Sequence, residues 1–231
     1  MAAMRYQWLL LDADGTLFDY DRAEAQALER AFTHAGWPYQ PAYREVYRRI
    51  NGAMWQAYER GELAPAQVKV RRFRDLFAEI GASLDPHAFS PAYLDYLAEG
   101  ADMLPGAAAL LEALHGKLGM VIVTNGLGTV QRRRFARAGI EKVVADVVIS
   151  DEVGASKPDP RIFDVAFERM GHPRREDVLI VGDSLTSDIS GGLAYGIDTC
   201  WYNPAGRERP ADMDIRYEIQ TLGSLLDVLT G

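Results

Sequence analysis

One cysteine and four histidines in 231 residues leave this sequence with few thiol or imidazole metal ligands. Cys200 alone can neither close an internal disulfide nor build a zinc cluster, a pattern that belongs with a reducing compartment. Long apolar runs are missing as well. The strongest, Trp8 to Leu11 and Met120 to Val123, fall far short of the about 20 residues a membrane span needs. The stretch Met1 to Gln7 carries a single Arg, and the apolar run after it ends at Asp12, too short for the core of a signal peptide. These absences predict a cytoplasmic protein with no membrane partner. Excess positive charge is also lacking. With 25 Lys+Arg against 33 Asp+Glu the net charge is −8 and no basic tail is present, which excludes a nucleic-acid polymer, because phosphate-backbone binding needs clustered cations. Disorder is excluded by a hydrophobic fraction of 48%, and the length suits one or two domains with a large core.

What is present is organised in two styles. From Val121 onward, short β-branched runs (Val121 to Val123, Val147 to Ile149, Val178 to Val181, Thr199 to Trp201) alternate with helical patterns, which predicts βαβ units and a parallel sheet. Trp8-Leu9-Leu10-Leu11 is apolar without alternation, as in a strand buried on both faces, and joins that sheet. Between Phe18 and Met103 no strand pattern occurs. Tyr43, Val46, Tyr47, Ile50 and Met54 lie on one helical face, and Val70, Phe73, Phe77 and Ile80 repeat the idea. Gly36-Trp37-Pro38, Gly61, Gly81 and Pro105-Gly106 punctuate helices, and Ala107 to Ala109 starts another. The reading is an α/β protein: a Rossmann-like parallel-sheet core at 1–17 and 104–231 with an all-helical domain inserted at 18–103.

Four short segments lie at or just past the C-terminal ends of the expected strands, the edge where open α/β sheets bind ligands. They are Asp12-Ala13-Asp14-Gly15-Thr16, Thr124-Asn125-Gly126, Lys157-Pro158, and Gly182-Asp183-Ser184-Leu185-Thr186-Ser187-Asp188. Each alone is ordinary turn or cap chemistry. Side by side, they bring four carboxylates (Asp12, Asp14, Asp183, Asp188) to one ammonium and one hydroxyl (Lys157, Thr124). Two carboxylates about 4 Å apart repel by roughly 4 kcal/mol at an effective dielectric near 20. A cation therefore belongs among them, and hard oxygen ligands make it magnesium and not zinc. An EF-hand is ruled out by Leu17 and Ala23 at its glycine and glutamate positions. Magnesium beside Lys157, Thr124 and the N–H groups of Asn125-Gly126 is a phosphate site. One aspartate can attack phosphorus to give an aspartyl phosphate, and a second can protonate the leaving alkoxide and later deprotonate water; Asp12 and Asp14 supply both.

In order and spacing the four segments resemble the motifs of the haloacid-dehalogenase superfamily, over about Gln7 to Leu229. The resemblance implies that Asp12 is the nucleophile and a magnesium ligand, and that Asp14 is the general acid and base and offers its backbone carbonyl to the metal. It implies that Thr124, Asn125 and Lys157 bind phosphate, that Asp183 is a further ligand, and that Asp188 and Ser184 support the site. The insert at 18–103 matches the helical cap of that family. Asp14-Gly15-Thr16 favours a phosphatase over a true dehalogenase, and the chain is most similar to the pyrimidine 5′-nucleotidase group. The implied partner is a small phosphorylated metabolite, above all a nucleoside 5′-monophosphate, acted on by a monomer or homodimer. A phosphoglycolate-type phosphatase or a sugar phosphomutase is the alternative; a non-catalytic relative would lack the nucleophile or the lysine, and neither is missing.

Of 4 Trp, 11 Tyr and 8 Phe, fourteen lie in 18–103. Most are expected to fill a small core, with one or two left to stack on a base. Eight cations between Arg44 and Arg74 face only Glu45, Glu59 and Glu62, as on a solvated helix face, or as an attractor for an anionic substrate. Gly126-Leu127-Gly128 is no dinucleotide fingerprint, since Gln131 takes the third glycine position. The segment around Ser184 lacks the last glycine of a nucleophile elbow. His34, His87, His115 and His172 are read as structural, and Cys200 as a small buried hydrophobe.

Overall fold

A computed structural model describes residues 4–231; the first three residues of the Met1 to Gln7 stretch lie outside the described residues. The non-alternating run forms β1 (Trp8–Leu11), and the four β-branched runs form β2 (Gly119–Thr124), β3 (Asp146–Ile149), β4 (Val178–Gly182) and β5 (Asp198–Tyr202). A sixth strand, β6 (Tyr217–Ile219), is absent from the sequence reading. Of its three residues only Ile219 is buried, so no apolar run marks this edge strand. All pairings are parallel, in the order β3-β2-β1-β4-β5-β6. The chain runs from β1 outward to β3 and then returns to the other side of β1. The strand order therefore reverses between β1 and β4, which is where ligands bind in such sheets.

The insert forms α1 (Tyr20–His34), α2 (Ala42–Glu59), α3 (Pro65–Ile80) and α4 (Pro86–Leu97). Pro65 and Pro86 sit at the first helical positions, Asp85 caps α4 by accepting from the His87 N–H, and α3 ends on Gly81 in the left-handed conformation. Phe32, Phe73, Phe77 and Phe89 pack ring against ring with centroids 5.0–6.2 Å apart, and Tyr47 and Tyr93 join them, so most of the expected aromatics do fill a core. Tyr20, Trp37, Tyr39, Tyr43, Trp55 and Tyr96 remain half-buried. Half of the basic run is an exposed, ion-paired face, with Arg48 on Asp21, Arg49 on Glu79, Arg60 on Glu62 and Arg74 on Asp75, while Arg44, Lys69 and Arg71 are half-buried. Arg72 departs from it and is 1% exposed.

The remaining helices are α5 (Ala107–Leu114), α6 (Gly128–Ala138), α7 (Ser150–Val153), α8 (Pro160–Arg169), α9 (Ser190–Tyr195) and α10 (Leu225–Thr230). One face of the sheet (Leu10, Val121, Val123, Val148, Ile180) packs on Ile162, Phe163 and Ala166 of α8 and on Tyr195 of α9. Among the described residues no helix is long and apolar enough to cross a membrane.

The chain divides into two compact units: residues up to Asp19 with Asp102–Gly128 and Phe135–Gly231, and Tyr20–Ala101 with Thr129–Arg134. The sequence reading places the insert at 18–103. Phe18 and Met103 pair in a β-bridge and the Asp19 N–H donates to Asp102 O, which ties those four residues to the first unit. Within the second unit, Arg133 pairs with Asp95 at 2.6 Å and Arg134 donates to Gly100 O at 2.7 Å, long-range contacts that no local pattern announces.

Candidate active site

Strand register aligns the motif segments. Leu11 lies opposite both Val181 and Ile122, and the Asp12 N–H continues the ladder to Val181 O at 2.9 Å. Asp12 is therefore the first residue beyond β1, level with the end of β4. The chain then turns sharply: the N–H groups of Leu17 and Phe18 both donate to Ala13 O, and Gly15 adopts φ +87°. Only glycine fits there, because a Cβ would stand 2.8 Å from Asp183 Oδ2. Asp14 is half-buried in the same turn, and Thr16 is buried with its hydroxyl 3.5 Å from Asp183 Oδ1.

Lys157 is 1% exposed, and its Nζ donates to Asp12 Oδ1, Asp188 Oδ1 and Val123 O, each at 2.6 Å. All three ammonium donors are thus in use. Its main chain is held by Asn125, whose Oδ1 accepts from the Lys157 N–H and whose Nδ2 donates to Lys157 O, both at 2.8 Å; the Lys157-Pro158 bond is cis. The Asn125 side-chain amide therefore serves to place Lys157. The Gly126 N–H, expected to be open to phosphate, donates to Ser150 Oγ at 3.1 Å. Thr124 ends β2 and is buried.

At the end of β4, Gly182 lets the carboxylate of Asp188 approach so closely that a Cβ would stand 2.2 Å from it. Asp188 lies on a single π-helical turn, Leu185–Ile189, and its Oδ2 accepts from the Ser184 N–H at 3.0 Å. Ser184 Oγ caps this turn by accepting from the Ser187 N–H. Carboxylate oxygens of Asp12, Asp183 and Asp188 lie within 4.8 Å of one another; the Asp14 side chain is not part of the group.

Three carboxylates against one ammonium leave the cluster short of positive charge. Burial pushes the Asp12 carboxyl well above its ordinary range, and Asp188 adds to the rise while Lys157 opposes it. Burial and then Asp188 raise Asp183 to about 7, with Lys157 and Arg207 pulling the other way. For Lys157 burial alone would depress the ammonium, but Asp12 and Asp188 outweigh it and hold it above its usual value. Every donor in the group is a hard oxygen, so the cluster suits a divalent cation of the magnesium or calcium type. No histidine joins it: all four are exposed, with His34 against Tyr96 and His115 against Val143 O. Burial pushes the Cys200 thiol up to about 12, which keeps it protonated and inert.

The sequence reading also misses the residues that hold Asp183 from behind. Asp183 O accepts from Trp201 Nε1 at 3.1 Å and from Arg207 Nη2 at 2.9 Å. Strand β5 is recognisable in the sequence, but no motif marks these two donors.

A model of the haloacid dehalogenase-like hydrolase family matches residues 6–196. Over 226 residues the chain is 34% identical to the pyrimidine 5′-nucleotidase YjjG of Escherichia coli, covering 98% of this chain and 99% of the relative. It is likewise 34% identical over 227 residues to the pyrimidine 5′-nucleotidase PynA of Streptococcus pneumoniae, covering 98% and 96%. The crystal structure of the HAD-hydrolase YfnB from Bacillus subtilis, bound to magnesium, superposes with a TM-score of 0.92 at 35% identity, covering 98% of this chain and 100% of that one.

Proposed function

Because the chain belongs to the haloacid dehalogenase-like hydrolase family, we propose that it is a magnesium-dependent phosphomonoesterase acting on a pyrimidine nucleoside 5′-monophosphate through an aspartyl phosphate on Asp12. The observation that carries this reading is the buried Lys157 ammonium, bonded at 2.6 Å to Asp12 and to Asp188 beside Asp183. Removing so many charges from water costs folding free energy, and a site for a cation and a phosphoryl group puts them to use.

The donor set fits magnesium, since each group is a carboxylate oxygen and the cluster carries unbalanced negative charge. Asp12 and Asp183 would hold the ion, with the Asp14 main-chain carbonyl as a third ligand, while Asp188, whose two oxygens accept from Lys157 and from the Ser184 N–H, supports them. When bound, magnesium supplies positive charge that draws phosphoryl oxygens toward Asp12 and offsets the charge they gain in the transition state.

The residues then divide the work. An Asp12 oxygen forms a bond to phosphorus as the ester bond breaks, and the electron pair leaves with the ester oxygen. Asp14 gives that oxygen its proton. The Asp14 carboxylate next takes a proton from water, whose oxygen attacks the phosphorus and releases inorganic phosphate and the Asp12 carboxylate. Thr124, at the end of β2, holds a phosphoryl oxygen. Lys157 first orients and neutralises Asp12, and it can contact the phosphoryl group only by exchanging one of its three bonds. The helical insert is the part of the chain to which selection of the leaving group is assigned.

The test is phosphate release. The wild-type protein should hydrolyse UMP, dUMP and dTMP with magnesium and not with EDTA, and should prefer them to phosphoglycolate. D12N should lose at least about a thousandfold in turnover with p-nitrophenyl phosphate while keeping its fold. Near wild-type turnover by D12N would refute the mechanism; a preference for phosphoglycolate would refute the substrate assignment alone.

A further inference from the structure

We propose that Arg207, with Trp201 and Asn203, forms a brace that sets the position of Asp183, making Arg207 a positioning residue for the metal ion. This deepens the functional reading above and rests on its magnesium site. Arg207 is exposed, its one side-chain hydrogen bond runs from Nη2 to the main-chain carbonyl of Asp183, and its guanidinium lies over the Trp201 ring at 5.2 Å. Trp201 is fully buried, pairs with Gly182 across β4 and β5, and donates to the same carbonyl. Asp183 O is therefore held by two side-chain donors that also contact each other.

The loop that carries Arg207 is itself pinned. Asn203 is 0% exposed; its Oδ1 accepts from the Arg207 N–H at 2.9 Å and its Nδ2 donates to Arg207 O at 2.8 Å and to Glu218 Oε1 at 2.6 Å. The Gly206 N–H closes the turn onto Asn203 O, and the Asn203 N–H joins Ile219 O beside β6. One buried amide thus folds five residues back toward the end of β4 and spends every donor and acceptor it has. An exposed arginine needs none of this to be solvated. The construction makes sense if a fixed donor at Asp183 O matters, because a carboxylate can grip a cation tightly only when its own backbone is held.

The experiment is calorimetric titration of magnesium into EDTA-stripped, dialysed protein, with melting in EDTA as the structural control. R207M keeps the stem over Trp201 and removes the donors; it should bind magnesium about tenfold more weakly, melt within about 2 °C of wild type in EDTA, and recover wild-type kcat within about threefold at saturating magnesium. R207K restores a donor that can reach Asp183 O and should return the affinity to within about threefold of wild type. Unchanged affinity in R207M, failure of R207K to rescue, or a kcat still depressed at saturating metal would each overturn the brace. If R207M does not fold, R207A, which also lacks the donor to Asp183 O, takes its place and is judged by the same loss of affinity. Wild-type protein that takes up no magnesium would overturn the site itself; uptake by wild type and R207M alike would remove the brace only.

Discussion

Two glycines decide whether the carboxylates can meet. At Gly182 and Gly15 the space a Cβ would fill is occupied by Asp188 and Asp183 respectively, and Gly15 also holds a backbone conformation that L-residues avoid. G15A should therefore act at two levels. Backbone strain should lower stability by about 1–3 kcal/mol, read by chemical denaturation. Displacing Asp183 should lower phosphate release by about a hundredfold, because shifts near 1 Å are enough to spoil a reacting geometry. Activity within a fewfold of wild type would show that Asp183 has room to retreat. The same scale explains Asn125. Its position in a Thr-Asn-Gly turn is visible in the sequence, but whether an amide points at a ligand or at Lys157, 32 residues away, depends on where the second segment lies.

Helices α1, α2 and α3 are joined by a polar relay that helical periodicity does not reveal. Glu24 on α1 is 2% exposed and accepts from Asn51 on α2, whose Oδ1 in turn accepts from Arg72 on α3. Glu24 Oε1 and two Arg72 nitrogens have no hydrogen-bond partner. Periodicity counts apolar residues, so charged ones are assigned to the surface, as Arg72 is in the basic run. Burial raises Glu24 to about 7, with Arg48 opposing the rise. A carboxyl whose folded value exceeds its unfolded one binds more protons in the folded state between those values, so its stabilising contribution is full below about 4.5 and is lost as pH rises through about 7. The loss amounts to roughly 3 kcal/mol at most. E24Q should thus gain on wild type as pH rises from 5 to 8, with a flatter plot of melting temperature against pH. Parallel plots for the two proteins would mean that Glu24 does not titrate in this window.

For the molecule as a whole, the sheet's parallel order and register place segments from opposite ends of the chain at one edge, with Asp12 and Lys157 separated by 145 positions in sequence. Burying like charges there opposes folding, so a cation that binds only the folded form must stabilise it. At a hundred times its dissociation constant magnesium should add about 2.7 kcal/mol, a rise of about 5–10 °C in melting temperature for a chain of this size, reversed by EDTA and absent in D12N. No shift in wild-type protein would remove the cation from the site.

The sequence by itself determined whatever depends on neighbours along the chain. Buried parallel strands read as unbroken apolar runs, helix ends carry Pro, Asp and Gly where backbone groups need them, and Asp12 and Asp183 follow their strands directly. Strand β6, the residues of α6 that join the helical unit, the Glu24–Asn51–Arg72 relay, the clamp of Asn125 on Lys157 and the two donors behind Asp183 were decided only by tertiary structure. Each depends on a contact between distant segments, and the energy of such a contact is set by burial and by partner geometry, which exist only once the chain has folded.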